Sequence, residues 1–290
     1  MALSRFKLSN VLIYAFLALF ALFCFGPMLL VLMISITSED SIRHNGYSLF
    51  PNEMSFAAYR MLFNDAAIVI RSYGISLFVT VVGTLSAVGI TGMASYTLFN
   101  RAVRYRNHLA LFFFFTMLFN GGIVPWYMIC RQLGLNDNIL ALLIPSLLFS
   151  AFNLFLTRNY MLSLPYALVE SAKIDGANDA VIAFRIIFPL CKPVLATIAL
   201  FYGLAYWNDW WNAIMLVSDQ KMYPVQYFLF KLQSDIQMMT MIQGVSNTGV
   251  LPTESVKMAT AILTIGPIVL MYPYLQRYFV KGLVVGSIKG

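Results

Sequence analysis

Six apolar runs, each near the length needed to cross a bilayer, constrain this chain of 290 residues more than any other feature. A spanning helix takes roughly 20 mostly apolar residues. Runs of that kind occupy 11–36, 68–96, 108–130, 138–157, 192–217 and 257–279. Hydrophobic residues form 60% of the sequence and charged ones 11%, proportions that exclude a soluble domain with an ordinary polar surface. In lipid the backbone must satisfy its own hydrogen bonds, which a helix does within one segment. The expectation is an all-α polytopic membrane protein with six transmembrane helices, forming a single domain over 1–290. The first run follows Arg5 and Lys7 as a signal peptide would. It is longer than such a region and no small-x-small cleavage site follows, so it is read as a retained helix.

Charge orients these runs. With the N-terminus in the cytoplasm, the inner segments carry Arg5, Lys7, Arg101, Arg104, Arg106, Arg158, Lys173, Arg185, Lys192, Arg277, Lys281 and Lys289, against Glu170, Asp175 and Asp179. On the outer segments acidic residues slightly outnumber basic ones, and Asp209 stays inside the fifth run. Basic residues accumulate on cytoplasmic segments of membrane proteins, so both termini are expected there. The net charge of +7 follows from this topology and makes no case for nucleic acid.

Catalytic chemistry finds little support. Cys24, Cys130 and Cys191 stand apart in or beside apolar runs, and His44 and His108 are distant in sequence, so no metal site is expected. No Gly-x-x-x-x-Gly-Lys-Ser/Thr occurs, so the chain holds no ordinary P-loop, and ATP-driven work would need another subunit. An intramembrane enzyme would need a nucleophile with its base, paired aspartates or a metal cluster, and Asp209 alone supplies none. Residues 37–67 and 218–256 read as outer excursions, the second with a short interfacial helix over Lys231 to Met241.

One polar segment stands out between the apolar runs. Over 165–189 the residues spell a helix, a turn and a second helix. Pro165 suits a first helical turn, and Gly176 sits where a left-handed C-cap is wanted. Asn178 can cap the next helix, with Asp179 in its first turn, and Pro189 marks the boundary before the fifth run. The result is a rigid bracket on the cytoplasmic side.

This bracket resembles the "EAA" loop of permease subunits of bacterial ATP-binding-cassette importers, whose pattern is Glu-Ala-Ala, three residues, Gly, nine residues, then Ile-x-Leu-Pro. Here it reads Glu170-Ser171-Ala172, Lys173 to Asp175, Gly176, Ala177 to Arg185, and Ile186-Ile187-Phe188-Pro189, departing at Ser171 and Phe188. The run from Gln276 to Gly290, the stretch Pro252 to Ala259, and Trp207-Asn208-Asp209 are similar to the second, maltose-type permease of carbohydrate importers. Asn120-Gly121-Gly122-Ile123-Val124-Pro125 looks like the branch for complex, often uronate-containing oligosaccharides such as alginate or pectin fragments. The resemblance implies the type I importer permease fold in the inner membrane, with a coupling loop over 158–191. Its ATPase-coupling residues would be Glu170, Ser171, Ala172, Asp175, Gly176, Ala177, Asp179 and Pro189. In such a system Glu170 pairs with a basic residue of the ATPase, while Ala172 and Ala177 let the surfaces approach closely. The implied partners are a second homologous permease, two ATPase subunits that carry the ATP and magnesium, and an extracytoplasmic sugar-binding protein. The chain itself would have no cofactor and no catalytic residue.

A route for substrate is the remaining candidate. An ionisable residue in a spanning helix usually faces a polar path or a partner. Tyr206, Trp207, Asn208, Asp209 and Trp211 offer rings and hydrogen-bonding groups of the kind sugars use, with Asn120 and Asn153 as lesser candidates. The alternative is an aromatic belt at the outer interface, where Trp is enriched. A permease of the same machinery for another solute, such as a polyamine or phosphate, is a rival the C-terminal run argues against. A passive channel would have no need of the bracket. The six-run topology predicts that reporter fusions after residues 105, 175 and 288 read cytoplasmic and those near 45, 135 and 240 read external. One inverted fusion would break the parity of every segment beyond it.

Overall fold

A computed structural model describes residues 8–64, 66–243 and 252–269, and the architecture there is helical. In chain order the helices are α1 Leu8–Ser35, α2 Glu39–Asn45, α3 Ala57–Leu62, α4 Ala66–Phe99, α5 Arg106–Leu118, α6 Ile123–Gln132, α7 Leu140–Leu143 and α8 Ala151–Leu162. They continue with α9 Ala167–Ile174, α10 Asp179–Leu190, α11 Lys192–Trp207, α12 Trp211–Leu216, α13 Val225–Gln243 and α14 over 253–269. Two compact units emerge, Met1–Ala66 with Leu229–Pro267, and Ala67–Phe228 with Ile268–Gly290.

The first unit is organised by α1, whose apolar flanks from Val11 to Leu29 are largely exposed, as a helix facing lipid requires. Its polar C-terminal end is closed by short-range bonds: Ser35 Oγ donates to Leu32 O (2.7 Å) and meets Tyr59 Oη at 3.0 Å. Ser38 caps α2 through Ser41 N, and Gly46 (φ +73°) ends it. Glu39 is the central tie of this unit. Its side chain is 6% exposed, and it accepts hydrogen bonds from the backbone N–H groups of Glu254 and Ser255 and from Ser255 Oγ, each at 3.2 Å. A carboxylate thus answers the free N–H groups and positive dipole end of α14. Tyr47 Oη donates to Glu254 Oε2 at 2.7 Å. That bond, together with burial and the charges of Glu254 and Glu39, holds the Tyr47 phenol above its usual range.

In the second unit α4 and α11 pack with little clearance. A Cβ at Gly83 would lie 2.5–2.7 Å from the ring of Tyr206, so only glycine fits opposite it. One core gathers Val79 and Ala87 of α4, Leu142 and Leu143 of α7, Ile198, Tyr202 and Tyr206 of α11, and Ala213 and Leu216 of α12. Ser95 Oγ joins α4 to α8, donating to Thr91 O (2.7 Å) and lying 3.1 Å from Leu154 O.

The apolar runs are less continuous than their composition implies. The first two appear as unbroken candidate spans, Val11–Ser35 and Ala66–Phe99. The third divides into α5 and α6, bent by 118°. Asn120 Oδ1 accepts Gly122 N (2.9 Å) and Gly122 takes φ +87°, an Asx turn followed by a left-handed glycine that no helix can run through. The fourth is interrupted between α7 and α8, where Pro145 brings no N–H and Ser146 adopts φ +63°. The fifth stops at Trp207 and resumes as α12, and the sixth begins earlier than expected, at 253. The outer helix expected over Lys231 to Met241 is the longer α13.

The irregular segment between α7 and α8 has its backbone served by side chains. Tyr206 Oη donates to Leu143 O at 2.7 Å, Asn212 Nδ2 donates to Pro145 O at 3.1 Å, and Ser150 N donates to Tyr202 Oη at 3.0 Å. Tyr202 Oη also shares a 2.7 Å hydrogen bond with Thr91 Oγ1. We expect Gly83→Ala to lower the melting temperature of the solubilised protein, since overpacking costs about 1–3 kcal/mol. Gly89→Ala, where nothing lies within 4 Å, serves as the control and leaves it unchanged. An unaltered melting curve for Gly83→Ala would show that the two helices can part to admit a methyl group.

Candidate coupling bracket and substrate route

The bracket forms as its residues dictate. Pro165 O accepts Leu168 N (3.2 Å) to open the first turn, and α9 buries Val169 and Ala172, one helical turn apart. It ends in a Schellman closure: Gly176 N donates to Lys173 O (3.1 Å) and Ala177 N to Ala172 O (2.9 Å), with Gly176 at φ +79°. Asn178 Oδ1 then accepts Val181 N at 2.8 Å and starts α10. Within α10, Ile182–Ile187 widens into a π-helical stretch just before Pro189, whose ring nitrogen has no hydrogen to give. At Cys191 the chain bends by 82° into α11.

The two faces of the bracket differ. Inward, Val169, Ala172, Ile182, Ala183, Ile187 and Cys191 pack with Tyr96 and Phe99 of α4 and Met161 of α8. Outward, Glu170, Ser171, Asp175 and Gly176 are exposed, and Ile174 is 87% exposed at the apex. Ala172, Ala177 and Asp179 make contacts within the chain. Ala172, expected at the surface, is 6% exposed and fills the inner core, so its small size serves packing within the chain. Ala177 is half-buried against the same core. Asp179 turns toward α4: its Oδ1 accepts Asn100 Nδ2 at 3.2 Å, lies 3.5 Å from Tyr96 Oη, and meets Lys173 Nζ at 3.5 Å. Pro189 is exposed at the end of α10.

Beyond these, Arg101 N donates to Tyr166 Oη (3.2 Å) and its guanidinium lies 4.3 Å from the centroid of that ring. Sequence reasoning did not find Tyr96, Asn100 and Tyr166. The only sign was an asparagine placed where an apolar run gives way to basic residues.

The route residues do not gather on one surface. Tyr206 and Trp207, expected beside a sugar, are 2% and 6% exposed and belong to the protein interior. Trp207 lies near Tyr73, ring centroids 6.4 Å apart. Asn153 is buried in the first turn of α8. Asn120 is exposed but makes the Asx turn at the α5–α6 bend. Asn208 and Trp211 are exposed, and Asn208 Oδ1 accepts Gln226 Nε2 at 3.2 Å. Asp209 is partly covered and bonds to the first turn of α12, with Oδ1 accepting Asn212 N (3.2 Å) and Oδ2 accepting Asn212 Nδ2 (2.9 Å). Its carboxylate therefore has a local structural task. Among the described residues no group of three or more His, Cys, Asp or Glu could hold a metal. The basic tail beginning at Gln276 lies outside the described residues.

The described residues thus combine broken apolar helices with a bracket packed against α4 and α8. The chain belongs to the family described as the binding-protein-dependent transport system inner membrane component, whose model matches residues 80–285. It is therefore an inner-membrane permease component of an ABC transport system. Among its relatives, the polygalacturonan/rhamnogalacturonan transport system permease protein YtcP of Bacillus subtilis is 37% identical over 285 residues, covering 98% of this chain and 99% of that protein. The protein LplC of the same organism is 36% identical, covering 91% of this chain and 89% of its own length. A solved structure of a bacterial ABC transporter involved in the import of the acidic polysaccharide alginate superposes with a TM-score of 0.80 at 29% identity, covering 96% of this chain and 99% of that one. The type I permease fold anticipated from the bracket is the fold found.

The Schellman turn gives a direct test. A β-branched side chain at φ +79° costs about 1–2 kcal/mol. Gly176→Val should therefore speed hydrogen exchange at the amides of residues 176 and 177 by about tenfold, while Gly176→Asn, which tolerates that backbone, changes it less. Equal protection in all three proteins would mean that the turn does not depend on glycine.

Proposed function

We propose that this chain is the membrane-spanning subunit of an ATP-driven importer that carries acidic, uronate-containing oligosaccharides from an extracytoplasmic binding protein into the cytoplasm by alternating access. It forms one permease domain over 1–290, with both termini and the loop over 158–191 in the cytoplasm. It pairs with a second, homologous permease and with two ATPase subunits, which carry the ATP and magnesium, and it catalyses no covalent step itself. The observation that carries the coupling role is the two-faced bracket: its inner face is packed into the chain while Glu170, Ser171, Ile174 and Asp175 stand bare. An apolar apex between two carboxylates suits a cleft with an apolar floor and a basic rim, into which the bracket docks as a rigid body. The choice of an acidic sugar rests on the polygalacturonan/rhamnogalacturonan permease and on the transporter of the acidic polysaccharide alginate, both of which align with nearly the whole chain. Exposed Asn208 and Trp211, with Asp209 between them in sequence, are the residues we assign to the substrate route.

Reconstitution with the partner permease, the ATPase and the binding protein tests both parts. Oligogalacturonide should stimulate ATP hydrolysis and enter proteoliposomes, whereas a neutral maltooligosaccharide of equal length should do neither. Glu170→Lys should reduce the stimulated rate to the basal one in an assembled complex. Wild-type rates in that variant would remove the bracket from coupling, and uptake of a polyamine in place of either sugar would overturn the substrate class.

A further inference from the structure

We propose that Asn100 and Tyr96, at the cytoplasmic end of α4, are positioning residues that fasten the coupling bracket to α4, and that Asp179 serves this joint and does not bind the ATPase. The inference rests on the bracket being the ATPase-coupling element. Three observations carry it. Asp179 Oδ1 is directed at α4, with Asn100 Nδ2 at 3.2 Å and Tyr96 Oη at 3.5 Å, and these two partners are only 4% and 8% exposed. The other arm of the bracket holds the same helix end, through Tyr166 Oη accepting Arg101 N and the Arg101 guanidinium over the Tyr166 ring. Toward α11 the covalent path is indirect, since a π-helical stretch and an 82° bend separate Asp179 from that helix. Movement imposed on the bracket therefore reaches α4 through short polar contacts from both arms before it reaches α11 along the chain. A hydrogen bond with one ionised partner is stronger than a neutral one, which suits a joint that must bear displacement. The ion pair to Lys173 is solvent-exposed, with side chains 39% and 57% accessible, and contributes little.

The test exchanges donor and acceptor. Asn100 also uses Oδ1 to accept Ala102 N at 3.0 Å, so Asn100→Ala would disturb the local turn as well as the joint. Asn100→Asp keeps that acceptor while setting a second carboxylate against Asp179. In the reconstituted complex it should lower the ratio of substrate-stimulated to basal ATPase by about fivefold or more, the scale of ordinary coupling between sites. The double variant Asn100→Asp with Asp179→Asn restores a donor opposite an acceptor and should recover most of the ratio. Glu170→Lys is measured beside them. A normal ratio for Asn100→Asp with a lost ratio for Glu170→Lys would overturn the joint and leave the bracket's coupling role standing. Normal ratios in both would overturn the coupling role and the joint with it. If Asn100→Asp fails to assemble, the double variant decides: assembly with recovered coupling supports the joint, and failure to recover overturns it.

Discussion

A backbone that leaves the helix inside a membrane protein must find hydrogen-bond partners without water, at a cost of several kcal/mol for each group left unpaired. The second unit meets that demand between α7 and α8. Leu143 O, Pro145 O and Ser150 N are answered by Tyr206, Asn212 and Tyr202, all from the fifth run. Two of these tyrosines lie one turn apart on α11, so the helix that repairs the break is also held against it. Their reach requires close contact between α4 and α11, and Gly83 provides it by having no side chain where the Tyr206 ring sits. The break, the two tyrosines and the glycine are one construction.

The middle and the C-terminal end of α4 have different surroundings. Near its middle it is packed tightly against α11, while at Phe99 and beyond it is grasped by polar and aromatic contacts from Tyr166 and Asp179. The bracket has its own apolar core, built around Val169, Ala172, Ile182 and Ile187. Its buried half binds it to the chain, and its other half, with Ile174 at the apex, is exposed. The division arises from ordinary helical spacing, because Val169 and Ala172 share one face and Glu170, Ser171 and Ile174 fall on others.

What the sequence disclosed follows the range over which each signal acts. Local signals read well. Gly176, Asn178 and the cap they imply act within six residues, and the observed Schellman turn and N-cap are those expected from the residue types. Apolar length located the helical segments but overstated their continuity, because hydropathy averages over Asn120-Gly121-Gly122 and over Pro145, where backbone conformation decides. Side-chain destinations read worst. Tyr206 and Trp207 carry the same polar handles whether they face a sugar or the interior, and only tertiary packing made them core residues. Asp179 is equally ambiguous, since its partner Asn100 lies 79 positions away and no local pattern connects them.

The length of α4 has a geometric consequence. At 34 unbroken residues and 1.5 Å of rise each, it measures about 51 Å. A rod of that length gripped near one end amplifies rotation: a tilt of about 5° carries its far end sideways by about 4 Å, comparable to the width of a water molecule and its neighbour contact. An angular change that small at the grip thus becomes a displacement of several ångströms at the opposite end of the helix.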